Sequence, residues 1–300
     1  MSATVLDMTA PFAVHWKDVV FARPEGMELQ ARLYEPVEGP VGPRPVVVDV
    51  HGGAWNSQSR KLGEHYDAAL AACGLLVVAI DFRDGRNGRH PVASADVLAS
   101  VRWVRANEEG LSADASRVAL IGSSSGGHLA LHAAVQPQAA ELKGVPIDTP
   151  SGTRLADEVD ASVSFVGAFW PPVDPLARYL YAREAIGRPV PEGQRFAPEN
   201  LVHSTEAYFG DEETMAAASV ADMVEAGSFG RLPPLWVVCA GEDLNVPRSM
   251  LDRLVRIYRA AGGEADCTVY EGQVHGFGHA AGAATDQFIG DLRARLQSAL

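Results

Sequence analysis

Val118-Ala119-Leu120-Ile121-Gly122-Ser123-Ser124-Ser125-Gly126-Gly127-His128-Leu129-Ala130 is the stretch on which the reading of this chain turns. An apolar, β-branched run stops at Gly122, serines follow, and Gly126 and Gly127 open an alanine- and leucine-rich segment. That is the pattern of a buried strand, a very tight turn and the first turn of a helix. Glycine at 122 and 126 lets the backbones of strand and helix pass close enough to hold Ser124 in a strained turn. G-x-S-x-G in this setting is a nucleophile elbow, which lifts a serine oxygen above the carboxyl edge of a sheet. Ser124 alone fits the serine position; Ser123 and Ser125 fill the variable places. A flexible Ser/Gly loop could carry the same five residues, so the flanking strand and helix bear the weight of the reading.

Outward from the elbow, strand-like and helix-like segments alternate. This predicts an α/β fold with a mostly parallel twisted sheet and helices on both faces. Trp16–Phe21 and Met27–Tyr34 flank Arg23-Pro24-Glu25-Gly26, a hairpin signal, so the sheet is expected to begin antiparallel. Strands are expected at Pro45–Val50, Leu75–Asp81, Ala161–Phe169, Leu235–Ala240 and Cys267–Tyr270. Helices are expected over Glu64–Ala72, Ala93–Glu109, Leu251–Ala261 and Asp286–Leu300, the second with Val97, Val101 and Val104 on one face. Residues 170–232 break the rhythm with Pro171-Pro172, Pro175, Pro189, Pro191 and Pro198. The stretch is too long for a simple connection. It reads as a cap or lid insertion of short helices after the sixth strand, within a single domain spanning 1–300.

Composition narrows the function classes. The 300 residues can bury a sizeable core, and the net charge of −13 argues against a nucleic-acid groove or an anionic membrane surface. Met1–Val14 lacks the basic and apolar regions of a secretory signal. No apolar run approaches the roughly 18–20 residues that span a bilayer. Cys73, Cys239 and Cys267 are widely separated in apolar segments, which favours buried free thiols over a disulfide framework or metal site. A cytoplasmic location is the default expectation; homo-oligomerisation stays open.

A serine hydroxyl needs a base to take its proton, and the base needs an orienting acid. In open α/β sheets these partners belong in loops leaving the carboxyl ends of later strands. Leu235–Ala240 is followed by Gly241-Glu242-Asp243-Leu244-Asn245-Val246-Pro247, where Asp243 is the preferred acid and Glu242 the runner-up. A strand-end Asp is also a common helix cap. Cys267–Tyr270 is followed by Glu271-Gly272-Gln273-Val274-His275-Gly276-Phe277-Gly278-His279. There His275 is the preferred base and His279 its competitor. The order Ser124, Asp243, His275 follows one of the known chain orders for such a triad. Upstream, His51-Gly52-Gly53-Ala54-Trp55 follows Pro45–Val50 as a glycine-rich turn. The N–H groups of Gly53 and Ala54, with that of Ser125, are candidate donors to an oxyanion. His51 is read as orienting this loop. Trp55, Phe169 and Trp170 are read as pocket walls, with Tyr179 and Tyr181 nearby; such residues serve equally well as core.

These motifs together resemble the hormone-sensitive-lipase-like carboxylesterase group of the α/β-hydrolases. His51–Trp55 stands where that group has its HGGG loop, and Gly122–Gly127 where it has GDSAGG. Ala54 in place of the third glycine gives an HGGxW form that resembles kynurenine formamidases and related small esterases. Ser123 and Ser125 replace the usual Asp and Ala. Asp81-Phe82-Arg83 resembles the family's DYR segment and Asp96 its downstream aspartate, both expected to be structural. The resemblance implies hydrolysis of a small ester or amide substrate with no metal or organic cofactor. A carboxylesterase is the leading expectation, an arylformamidase the enzymatic alternative, and a ligand-binding protein on a retired scaffold the alternative of another class.

Overall fold

Side chains along a strand alternate between faces, and here the alternation feeds two separate core layers. The computed structural model describes residues 6, 12–37, 39, 42–194 and 196–300. Most of Met1–Val14, where the absence of a secretory signal was read, therefore lies outside the described residues. In β3 (Arg44–Val50), Val46, Val48 and Val50 enter one layer while Val47 enters the other. In β5 (Ala113–Ser123), Val118 and Leu120 are likewise set against Ala119 and Ile121. A strand buried on both faces needs helices on both, and the layers differ in which helices supply them. The first takes α2 (Val92–Ala106), α4 (Ser125–Val135) and α9 (Arg248–Ala260). The second takes α1 (Glu64–Ala71) and α10 (Ala283–Ala299), through Tyr66, Leu70, Phe288, Leu292 and Leu296.

The remaining strands are β1 (Val14–Ala22), β2 (Leu29–Pro36), β4 (Leu76–Ile80), β6 (Ile147–Thr149), β7 (Gly152–Arg154), β8 (Phe165–Phe169), β9 (Leu235–Ala240) and β10 (Ala265–Tyr270). Among the described residues they form one sheet in the order β10-β9-β8-β5-β3-β4-β2-β1-β6-β7. The run from β10 to β4 is parallel, and β2, β1, β6 and β7 are attached antiparallel. This is the α/β fold with an antiparallel start that the sequence predicts.

The differences are local. Residues 161–164 lie before the start of β8, although Ser164 N–H donates to the Val118 carbonyl of β5 at 2.8 Å, so that strand is shorter than its apolar run. Asn107 breaks the long expected helix, leaving a single turn, α3 (Glu108–Leu111), beyond it. The sequence reading missed the hairpin β6–β7 at the far edge, whose three-residue strands are too short to show periodicity. Residues 170–232 follow β8 and contain α5 (Pro175–Ala185), α6 (Pro198–Phe209), α7 (Glu212–Ala217) and α8 (Val220–Glu225). Proline stands in the first turn of α5 and of α6, where its missing N–H costs nothing.

Arg83 and Asp96, the two positions expected to be structural, form a buried ion pair at 2.7 Å. Parallel pairing also joins two cysteines the sequence holds far apart: Cys239 on β9 and Cys267 on β10 have sulfurs 3.0 Å apart, both as free thiols. Cys267 is half-buried, whereas Cys73 and Cys239 are buried as expected. Among the described residues no helix is long and apolar enough to cross a membrane.

Candidate active site

The carboxyl ends of β3, β5, β8, β9 and β10 meet along one sheet edge, and the loops leaving them carry the residues of interest. Several hold backbone that side chains rarely adopt. Ser124 has φ 51° and ψ −124° between β5 and α4. After β3 come Gly53, Ala54 and Trp55 with φ of 119°, 52° and 59°, and after β8 comes Trp170 with φ 40°. Such conformations persist only where surrounding structure enforces them, and they gather at functional sites. At the elbow the enforcing contact is a backbone crossing. A Cβ on Gly122 would come within 2.5 Å of the Gly126 carbonyl oxygen, and one on Gly126 would overlap the carbonyl oxygen of Val50 at the end of β3. Gly126 therefore clears the neighbouring strand, not the one that precedes it.

The structure places Ser124, His275 and Asp243 in line. Ser124 Oγ lies 2.9 Å from His275 Nε2, and His275 Nδ1 lies 2.8 Å from Asp243 Oδ2. A carboxylate accepts, so Nδ1–H donates to Asp243 and Nε2 is left to accept the Ser124 hydroxyl proton. The other carboxylate oxygen, Oδ1, accepts the N–H groups of Asn245 at 2.7 Å and Val246 at 3.0 Å. Asp243 is thus a turn cap and the histidine's partner at once. Glu242 is exposed and makes its bonds through the backbone, its N–H donating to Gln273. His279, the competing histidine, points elsewhere: its Nε2 lies 3.1 Å from Ser123 Oγ, one residue before Ser124.

Gly53 and Ala54 line the same cleft as Ser124 and His275. None of the described residues accepts the N–H of Gly53 or Ala54. Ser125, first residue of α4, has an N–H without an intrahelical acceptor. His51 is buried, stacks on Phe82 with ring centroids 4.3 Å apart, and its Nδ1 lies 2.6 Å from the Gly52 carbonyl oxygen. Burial pushes its pKa below the ordinary histidine value, so a neutral ring braces the loop.

Three expected pocket residues are not in the pocket. Trp55 is 1% exposed, and Phe169 and Trp170 are fully buried. Trp55 packs edge-on against Phe209 and gives its indole N–H to His128 Nδ1 at 3.2 Å. Phe169 and Trp170 lie in the core layer beneath the elbow, against Phe288. Tyr179 donates its hydroxyl to Glu206 at 2.6 Å, and Tyr181 packs on Phe196. The cleft, of about 430 Å³, is walled instead by Leu62 and by α5 and α6 residues that include Arg178, Asn200, Leu201 and Ser204. The sequence reading missed these last four. Arg178 had one usable signal, its place four residues after the Asp174 cap of the helix that follows β8.

Behind the elbow lies a buried acidic pocket. Tyr66 donates its hydroxyl to Asp49 at 3.2 Å, and burial pushes the Asp49 carboxyl up to about 7. Asp67, equally buried, has neither carboxylate oxygen hydrogen-bonded, and burial with the charge of Asp49 raises it well above the ordinary carboxyl value. Among the described residues no group of three or more His, Cys, Asp or Glu side chains is placed to hold a metal ion.

Comparison with known proteins gives the following. A family model described as alpha/beta hydrolase fold matches residues 47–279. The esterase LipC of Mycobacterium tuberculosis is 29% identical over 253 residues, covering 82% of this chain and 56% of LipC. The chain thus spans little more than half the length of that curated relative. Among solved structures, EstE1, a thermostable carboxylesterase cloned from a metagenomic library, superposes with a TM-score of 0.76 at 24% identity, over 97% of this chain and 91% of its own. Brefeldin A esterase, described as a bacterial homologue of human hormone-sensitive lipase, superposes with a TM-score of 0.76 at 23% identity, over 97% of this chain and 78% of its own.

Proposed function

This chain belongs to the alpha/beta-hydrolase fold family, and from that premise we propose that it is a carboxylic ester hydrolase of the hormone-sensitive-lipase-like group, working through a serine acyl-enzyme. One observation carries the reading: the unbroken line Ser124 Oγ, His275 Nε2, His275 Nδ1, Asp243 Oδ2, with both contacts at hydrogen-bond length. Esterase relatives support the choice of ester as substrate.

In the first half-reaction, His275 Nε2 takes the Ser124 proton as Oγ bonds to the ester carbonyl carbon. Negative charge moves onto the carbonyl oxygen, where the N–H groups of Gly53, Ala54 and Ser125 receive it. Fixed donors of this kind are worth about 10²–10³ in turnover each. His275 then returns the proton to the departing alcohol oxygen, the carbon–oxygen bond breaks, and the acyl group stays on Ser124. Water repeats the sequence: His275 takes its proton, the oxygen adds to the acyl carbon, and Ser124 leaves with the proton restored. Asp243 keeps Nδ1 protonated and faces the positive charge that forms on the ring. Residues 170–232, which contribute α5 and α6 to the cleft wall, act in this scheme as its cap.

Labelling with a fluorophosphonate followed by peptide mapping tests the scheme. An adduct on Ser124 is expected, and its absence from the folded protein would leave a ligand-binding scaffold without chemistry. Turnover of p-nitrophenyl esters beside N-formylkynurenine separates ester from formamide hydrolysis. Fast deformylation with negligible ester turnover would make the chain an arylformamidase using the same residues.

A further inference from the structure

Arg178 sits in the wall of the catalytic cleft, on α5, in the same cavity as Ser124 and His275. The residue is 2% exposed, yet no described carboxylate lies within ion-pair distance of it. Its described hydrogen bond is a long one, 3.3 Å from one terminal nitrogen to the Thr205 hydroxyl, and its Nε has no acceptor. The centre of the guanidinium lies 5.3 Å from the Trp55 ring centroid, a contact that accepts positive charge without using its N–H groups. The opposite charge that acts on it is that of Asp243, whose oxygens are already taken by His275, Asn245 and Val246. Burial lowers the guanidinium only to about 10, so it stays charged at neutral pH. Among the described residues no aspartate or glutamate lines the cleft.

A buried charge ordinarily has a partner, because taking it out of water without one is strongly unfavourable. Here the under-satisfied guanidinium belongs to a residue that lines a cavity sized for a small ligand. A guanidinium presents two parallel N–H groups that match a carboxylate. Its single positive charge also balances one negative charge; a phosphate monoester, at about −1.5 to −2, would leave an excess beside Asp243. We propose that Arg178 is the recognition group for a carboxylate carried by the substrate, so that the cleft takes small ester anions, such as half-esters of short dicarboxylic acids. This inference rests on the ester-hydrolase reading for the identity of the reacting group, and on the cleft alone for the anion.

Binding to the Ser124→Ala variant tests it without turnover. By calorimetry at pH 7.5, monomethyl glutarate is expected to bind at least tenfold more tightly than dimethyl glutarate, its uncharged counterpart. Adding Arg178→Gln or Arg178→Met should remove most of that difference, while Arg178→Lys, which keeps the charge but loses the paired donors, should retain part of it. A preference below tenfold in Ser124→Ala overturns the proposal on its own, with no change made at Arg178. So does a preference that survives Arg178→Gln and Arg178→Met. Failure of the ester-hydrolase reading shows separately, as wild-type protein that turns over neither ester and takes no fluorophosphonate on Ser124.

Discussion

His275 and His279 are four residues apart, face neighbouring serines, and differ in what a substitution should cost. His275 bridges Ser124 and Asp243, whereas His279 reaches Ser123 Oγ at 3.1 Å. His275→Ala should lower kcat by more than about 10⁴, and adding Ser124→Ala should lower it little further, because triad members act as a unit. His279→Ala should cost no more than about tenfold, the scale of one hydrogen bond. Steady-state kinetics on a p-nitrophenyl ester decides between them, and the reverse ranking would identify His279 as the base. The contrast also marks what single residues reveal in sequence. Ser124, Asp243 and His275 are legible because each stands just past an apolar strand in a turn with its own chemical signature. Trp55, Phe169 and Trp170 fall in the core instead of the pocket, because an aromatic residue at a strand end or in the loop beyond it does not disclose which layer it enters. Arg178 offered only its distance from the Asp174 cap; that the fold places no described carboxylate within ion-pair distance of it is something no local pattern records.

At the scale of elements, the elbow is a three-body contact among β5, α4 and the end of β3. A methyl group at position 126 would collide with the Val50 carbonyl oxygen, and the His51 backbone stands next to it. Backbone atoms at the centre of a sheet cannot move aside as a flexible side chain would. Gly126→Ala should therefore destabilise the protein by about 3 kcal/mol or more, at or beyond the upper end of ordinary overpacking. A urea-denaturation midpoint close to that of the wild type would show that the crossing has slack. The crossing explains why the central strands were easy to place from sequence. A strand buried on both faces is mostly apolar, so β3, β4, β5 and β9 announce themselves; the ends of β3, β4 and β9 shift by a residue at most, whereas β5 starts at Ala113, five residues before its apolar run. The β6–β7 hairpin lacks that constraint, since β7 is exposed along its whole length. Of the helices in 170–232, α5 and α6 wall the site and α8 packs against α4 and α9, so periodicity does not reveal their order.

The whole molecule carries a charge of −13, yet places two carboxyl groups, Asp49 and Asp67, in its interior behind the elbow. Their pH signature can be worked out by sign. Asp67 ordinarily titrates near 3.8, and in the folded protein it holds its proton well above that. Between those values the native state binds a proton that the unfolded chain has lost. The resulting contribution to stability is fully present below pH 3.8 and declines as pH rises, by up to about 1.4 kcal/mol per pH unit. Asp49, pushed up to about 7, changes in the same direction. Three histidines, His128 and His132 buried and His90 half-buried, run oppositely. His90 is lowered to about 4, His128 to about 3 and His132 well below its ordinary value, so the stability they contribute is present above pH 6.5 and lost as pH falls. Between pH 4 and 6.5 the two sets oppose each other, and the overall stability profile is a poor probe of either. Comparison of Asp67→Asn with wild type isolates the carboxyl group, because the histidines are common to both. The amide has no partners in this pocket at any pH, so a constant offset carries no information and only the trend does. Urea unfolding at pH 4, 6 and 8 should find Asp67→Asn gaining on the wild type at each step upward. A difference that stays constant with pH would mean that Asp67 titrates in the folded protein as it does in the unfolded chain.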